Sequence, residues 1–148
     1  MGSLTEKQQA LIIGCLLGDG AMRCKTNALL ETNHAIKQKR YVDWKHKILC
    51  GLVTTSPKSR RAGYRRIAYR FIARSLPVLT KIYRQFYRNG RKTIPEDLVL
   101  HPLSLAVWFM DDGAKSYRAI YLNTQKFSKQ EQKRLIKVLR NNIISRRR

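Results

Sequence analysis

Two apolar segments, 12–17 and 105–110, each lead into an Asp-Gly pair, at Asp19-Gly20 and Asp112-Gly113. In the first, Thr5 caps a helix over 6–18, and Leu11, Ile12, Ile13, Leu16 and Leu17 make it apolar on more than one side. Such a helix must be interior. Gly14 and Gly18 lie four apart, so they share a face and let another helix approach closely. Ser104 caps the second apolar helix, over 105–110. Packing these two helices together brings Asp19 and Asp112, 93 positions apart (19 and 112), side by side.

That arrangement is unfavourable for the protein alone. A carboxylate at a helix C-terminus faces the negative end of the macrodipole, and two neighbouring carboxylates repel. A Mg²⁺ ion between them removes both penalties, and the same chemistry serves phosphodiester hydrolysis: an activated water and a stabilised leaving oxygen. Taken singly, each Asp-Gly also reads as a plain turn after a helix, since both residues favour turns.

Charge indicates the partner. Lys and Arg number 31 against 9 Asp and Glu, a net charge of +22, which calls for a polyanion such as nucleic acid. From Lys37 to Arg66 ten basic residues accompany the single acid Asp43, so the charge belongs to a folded surface and not to a tail. Ribosome-associated proteins and basic membrane-surface segments share the charge but do not explain the two Asp-Gly helices. No apolar run reaches the ~18 residues of a membrane span, and the polar N-terminus does not read as a secretory signal. Cys15, Cys24 and Cys50 lack C-x-x-C spacing, which argues for a reducing compartment and against zinc or a disulfide framework. An intracellular location follows as an expectation: an organelle, or a bacterial or archaeal cytoplasm.

Between and after the apolar helices the pattern predicts a hairpin, 21–25 and 29–35, turning at Thr26-Asn27. It predicts a helix over 38–53 with Tyr41, Trp44, Ile48 and Leu52 as its stripe and Lys39, Lys45 and Lys47 pointing elsewhere. A loop over 54–61 and a strand over 64–73, with basic or aromatic side chains outward, come next. A helix over 76–87 stops at Asn89-Gly90. Further on lie a strand over 119–124 and a helix over 128–142 opened by a Ser128/Glu131 capping box.

Ile12-Ile13-Gly14-Cys15-Leu16-Leu17-Gly18-Asp19-Gly20 and Leu105-Ala106-Val107-Trp108-Phe109-Met110-Asp111-Asp112-Gly113 both resemble the nine-residue LAGLIDADG motif. With Lys92-Thr93-Ile94-Pro95 ahead of the second motif and Leu122-Asn123-Thr124-Gln125 after it, the chain resembles the single-chain, intron-encoded LAGLIDADG homing endonucleases. The resemblance implies an α+β fold of two pseudo-symmetric αββαββα repeats, with the motif helices between them and two sheets forming a saddle over the DNA major groove. It implies a monomer that cuts double-stranded DNA with Mg²⁺. Asp19 and Asp112 become the catalytic metal ligands, and the backbone carbonyls of Gly18 and Asp111 offer further ligands. Asp111 aligns with Gly18 at the variable seventh position, so its side chain is not taken as the catalytic acid. Lys92 matches a basic pocket residue suited to organising water or stabilising developing charge, though it also reads as a solvated lysine after a helix. Lys37, Lys39, Arg65, Arg66 and Arg70 would hold phosphates, and Gln125 would contact water or a base edge.

The boundaries fall at 1–100 for the first repeat and 101–148 for a partial second one. The first repeat spends 73 positions between Asp19 and Lys92, whereas 36 follow Asp112. By this reading the second hairpin, the final helix and the counterpart of Lys92 are missing from the second repeat. Two rival functions follow: a non-cleaving maturase or regulator of the same fold, and an inactive shortened endonuclease.

Overall fold

A computed structural model of the chain describes residues 2–145. Helix α1 (Glu6–Leu17) begins with a reciprocal cap: the Thr5 hydroxyl accepts from Gln8 N–H and the Gln8 side chain from Thr5 N–H, both at 3.1 Å. Two glycines then let α4 (Pro102–Asp112) lie directly on it. A Cβ at Gly14 would stand 2.7 Å from both the Ser104 carbonyl oxygen and Val107 Cβ, and one at Gly18 only 2.4 Å from Asp111 Cβ. The expected close approach on one glycine face is what the structure shows.

After α1 come β1 (Ala21–Cys24), β2 (Ala28–Ala35), a 3₁₀ turn (Ile36–Gln38) and α2 (Lys39–Ile48). Then follow β3 (Lys58–Arg61), β4 (Ile67–Ile72) and α3 (Pro77–Phe86). These strands form one antiparallel sheet in the order β1-β2-β4-β3. Met22, Leu30, Tyr69 and Phe71 are buried in the core with α1 and α3, which also bury Leu11, Leu16, Leu79, Ile82 and Phe86. The opposite face, fixed by the register, carries Arg23, Glu31, Asn33, Arg70, Lys58 and Arg60.

Asn89 and Gly90, both with positive φ (51° and 74°), then fold a tight turn between β5 (Tyr87–Arg88) and β6 (Arg91–Lys92). After α4 come β7 (Gly113–Ser116), β8 (Ala119–Leu122) and α5 (Lys129–Ser145). The predicted box at α5 is present: Glu131 N–H donates to Ser128 Oγ at 3.2 Å and Ser128 N–H to Glu131 Oε2 at 2.5 Å. Among the described residues, no helix is long and apolar enough to cross a membrane.

Several expectations change. Ser104 does not cap α4. His101 does, through Nδ1, with Pro102 opening the helix, because the Ser104 hydroxyl is buried and donates to the Ala10 carbonyl at 2.7 Å, tying α4 to α1. The 54–61 loop contains β3, an edge strand with all four residues exposed, which has no apolar alternation to reveal it. The strand over 64–73 is shorter, and Arg65 and Arg66 lie in the preceding turn, where Arg65 has φ 56°. Its aromatics face inward and Arg70 outward. The stripe on α2 is rotated, so that Val42 and Lys45 are its buried residues while Trp44 is 37% exposed. The strand over 119–124 ends at Leu122, leaving Gln125 in an exposed turn, and β7 pairs with it unforeseen. Arg146, Arg147 and Arg148, where no further strand is expected, lie outside the described residues.

Candidate functional site

The glycine contacts bring the C-terminal ends of α1 and α4 together, and Asp19, Asp111 and Asp112 with them. Asp19 N–H donates to Asp111 Oδ2 at 3.3 Å. Burial, followed by the neighbouring Asp111 and Asp112 charges, raises the Asp19 carboxyl above the usual carboxylate range. The acids therefore gather closely enough to repel one another, and Lys126 and Lys45 offset part of that repulsion.

Asp111 is the acid whose charge is satisfied internally. Its side chain is 0% exposed and accepts from Lys45 Nζ at 2.7 Å and from the Tyr41 hydroxyl at 2.6 Å. Lys45 is itself completely buried, reversing the expectation that it points away, and its Nζ lies 3.0 Å from His34 Nε2. A buried ammonium needs such partners, since an unpaired charge in the interior is strongly disfavoured. Burial, and then the adjacent Lys45, lowers the His34 pKa, so the neutral ring accepts from the ammonium. Burial, and then the bond to Asp111, raises Tyr41 and keeps it a donor. Burial likewise pushes the Cys15 thiol up to about 11, so it remains a thiol. The Asp111 carboxylate is thus engaged by Lys45, and only its backbone carbonyl is left for the ligand role implied by the resemblance.

Two lysines complete the centre. The Asn89-Gly90 turn delivers Lys92, whose Nζ donates to the Gly20 carbonyl at 2.5 Å and reaches the Gly18 carbonyl at 3.4 Å. Burial, followed by repulsion from Lys126, lowers its pKa to about 8. Lys92 is therefore held in the centre and is not a freely solvated side chain. Lys126 was not anticipated. Its Nζ bonds the same Gly18 carbonyl and reaches Asp112 Oδ2 at 3.3 Å. The signal lies in the hairpin register: Gly113 pairs with Leu122 and Asn123 N–H donates to the Asp112 carbonyl at 3.1 Å, so the turn holding Gln125 and Lys126 returns to the acids.

The donors suit a hard divalent ion. Among the described residues, no group of three or more His, Cys, Asp and Glu is arranged for a metal. Mg²⁺, however, commonly takes one or two carboxylates and fills its remaining positions with water and substrate phosphate. Asp19, Asp112 and the Gly18 carbonyl supply oxygen only, and an ammonium already sits on two of these groups.

A groove beside Asp19 is lined by Asn33, Lys37, Arg65 and Arg66. The structure thus unites three of the expected phosphate contacts with one acid. Lys39 is instead paired to Asp43 at 2.8 Å, and Arg70 to Glu31 at 3.2 Å on the outer sheet face. Arg23, Lys58 and Arg60 join Arg70 on that face. The sequence reading missed Lys58 and Arg60 because β3, an edge strand of cations, resembles a loop.

Residues 9–146 match the LAGLIDADG DNA endonuclease family. Among curated proteins, the chain is 30% identical to a probable intron-encoded endonuclease 1 of Wickerhamomyces canadensis, over 90% of this chain and 64% of that protein. It is 29% identical to the cytochrome b mRNA maturase bI2 of Debaryomyces hansenii, over 92% of this chain and 56% of the maturase. Its match to a protein RecA of Mycolicibacterium chitae is 29% identical and spans 28% of that protein, so the chain covers less than two thirds of each of these relatives. In structure it resembles the homing endonuclease I-WcaI bound to its DNA recognition sequence, with a TM-score of 0.85 and 28% identity over 94% of this chain and 68% of that one.

Proposed function

Because this chain belongs to the LAGLIDADG DNA endonuclease family, we propose that it binds double-stranded DNA and hydrolyses one phosphodiester bond in each strand at a specific site. The observation that carries this reading is that Asp19 lies within electrostatic reach of both Asp112 and Lys92 at the glycine-packed end of α1 and α4. Two repeats, 1–100 and 101–148, each contribute one acid, and the molecule acts as a monomer with internal pseudo-symmetry.

Asp19 and Asp112 hold the metal, with the Gly18 and Asp111 carbonyls as further ligands. Mg²⁺ bound there supplies an activated water and neutralises charge at the phosphate. Lys92, fixed by the Gly18 and Gly20 carbonyls, orients water and offsets charge that develops on the phosphate oxygens. Lys37, Arg65 and Arg66 grip the backbone in the groove beside Asp19. Lys39 adds a phosphate contact at the rim, Arg70 acts from the sheet face, and Gln125 meets water or a base edge beyond β8.

The test is a plasmid carrying the intron-less insertion site, incubated with protein and Mg²⁺. Linear product that disappears with EDTA supports the proposal. The maturase relative favours a second reading, in which the same surface binds nucleic acid without cutting it; a retarded but intact plasmid is its signature.

A further inference from the structure

The Lys126 ammonium bridges one group from each side of the helix pair: the Gly18 carbonyl at the end of α1 and the Asp112 carboxylate at the end of α4. These are two of the oxygens assigned above to a divalent cation. The Lys126 side chain is 35% exposed and that of Asp112 23%, so the ammonium lies at the mouth of the centre, where solvent and ions reach it. Lys92 shares the Gly18 carbonyl but bonds only to carbonyls. Lys126 is therefore the centre's only cation, among the described contacts, that joins a backbone ligand to a catalytic carboxylate.

Resting on the metal-dependent reading, we propose that Lys126 is a built-in stand-in for the metal: in the DNA-free protein it holds Asp112 and Gly18 in their cation-bound relation and must leave when a divalent ion arrives. An ammonium and a dication cannot share one pair of oxygens, because each is drawn there by the same negative potential and they repel each other. The displaced ammonium stays tethered beside Asp112, where it meets the phosphate that enters with DNA. In place on Asp112, the ammonium also offsets the repulsion between two carboxylates at helix C-termini.

The probe is Ca²⁺ alone, without DNA, titrated into the full chain by calorimetry, with thermal unfolding as a parallel readout. Replacing Lys126 removes the competitor, so Lys126→Met and Lys126→Gln should each bind Ca²⁺ at least about tenfold more tightly than the parent, with a larger Ca²⁺-dependent rise in Tm. Lys126→Arg, which keeps the charge, should bind as weakly as the parent. Lys129→Met, an exposed charge at the start of α5, controls for the general loss of one positive charge and should change little. Asp112→Asn combined with Lys126→Met should lose the gain. Two variants at Lys126 guard against one of them folding poorly. Ca²⁺ affinity unchanged in both, or raised equally by Lys129→Met, overturns the proposal. So does a complete lack of Ca²⁺ binding in every variant. Metal-dependent cleavage is then judged separately, by whether EDTA abolishes plasmid linearisation by the parent protein.

Discussion

The hairpins that follow α1 and α4 differ sharply. β1 and β2 are extended by β4 and β3 into a four-stranded sheet with a basic outer face, whereas β7 and β8 stand as a pair among the described residues. Asymmetry also runs through the helix contact. In the two motifs Gly14 aligns with Val107 and Gly18 with Asp111, and these aligned positions touch each other. A glycine on α1 thus makes room for a larger residue on α4. Asp111 uses that room to reach Lys45, on the side with the larger sheet. Unequal surroundings therefore frame a centre that receives Asp19 from the end of α1 and both Asp111 and Asp112 from α4. Chemistry and DNA reading should respond differently to mutation.

The largest effect should be blind to the asymmetry. Asp19→Asn and Asp112→Asn should each lower the cleavage rate by about a thousandfold or more, because each removes a charged oxygen from the proposed metal site. DNA affinity, read by fluorescence anisotropy, should hold or rise, since a carboxylate facing phosphate is repulsive without metal. If one of the two variants cuts at the parental rate, the centre is not shared in the way proposed.

A second substitution tests the one-sided support. Lys45→Met should destabilise the protein by about 3 to 5 kcal/mol, the usual result of leaving a buried charge unpaired, here that of Asp111. Urea denaturation measures it. Adding Asp111→Asn should recover part of the loss, because the orphaned charge is then gone. A single variant as stable as the parent would falsify the view that this pair is a buried interlock.

How much of this was legible in the sequence follows from where each signal lies. Helix α1, its glycine face and the Asp-Gly ends were readable because burial on several sides leaves a continuous apolar run, and close packing leaves glycines, whereas α4 keeps its apolar run although Met110 is exposed. The Ser128/Glu131 box was readable because its chemistry is local. Lys45 was not. A lysine on an amphipathic helix is assigned to solvent unless its partner is known, and the partner, Asp111, lies 66 positions away. Lys126 was hidden for a related reason: its place depends on the β7–β8 register, and β7 has no hydrophobic alternation. Edge strand β3 failed the same test.

A third, smaller effect should follow the sheets. Lys58→Gln and Arg60→Gln, on the outer face of the four-stranded sheet, should each weaken binding and reduce the slope of log affinity against log salt by about one. Lys115→Gln and Arg118→Gln, on the short hairpin side, should reduce it less. Equal reductions on both sides would mean that the hairpin holds as much DNA backbone as the sheet, and the comparison would lose its functional meaning.

The smallest expected effect concerns the hairpin's own packing. Ile120 on β8 is 64% exposed and borders an apolar trough formed with Leu105, Trp108, Leu135 and Ile136. On the larger sheet, by contrast, Leu30 of β2 is fully buried. An apolar side chain that remains in water contributes little to folding, so Ile120→Thr should change stability by no more than about 0.5 kcal/mol. It should do so independently of protein concentration. Denaturation at two concentrations at least tenfold apart is the measurement. A loss above about 1 kcal/mol that grows with protein concentration would show that another copy of the chain covers the trough. The hairpin would then be unequal to the sheet only in the monomer, and the monomeric reading of the molecule would have to be given up.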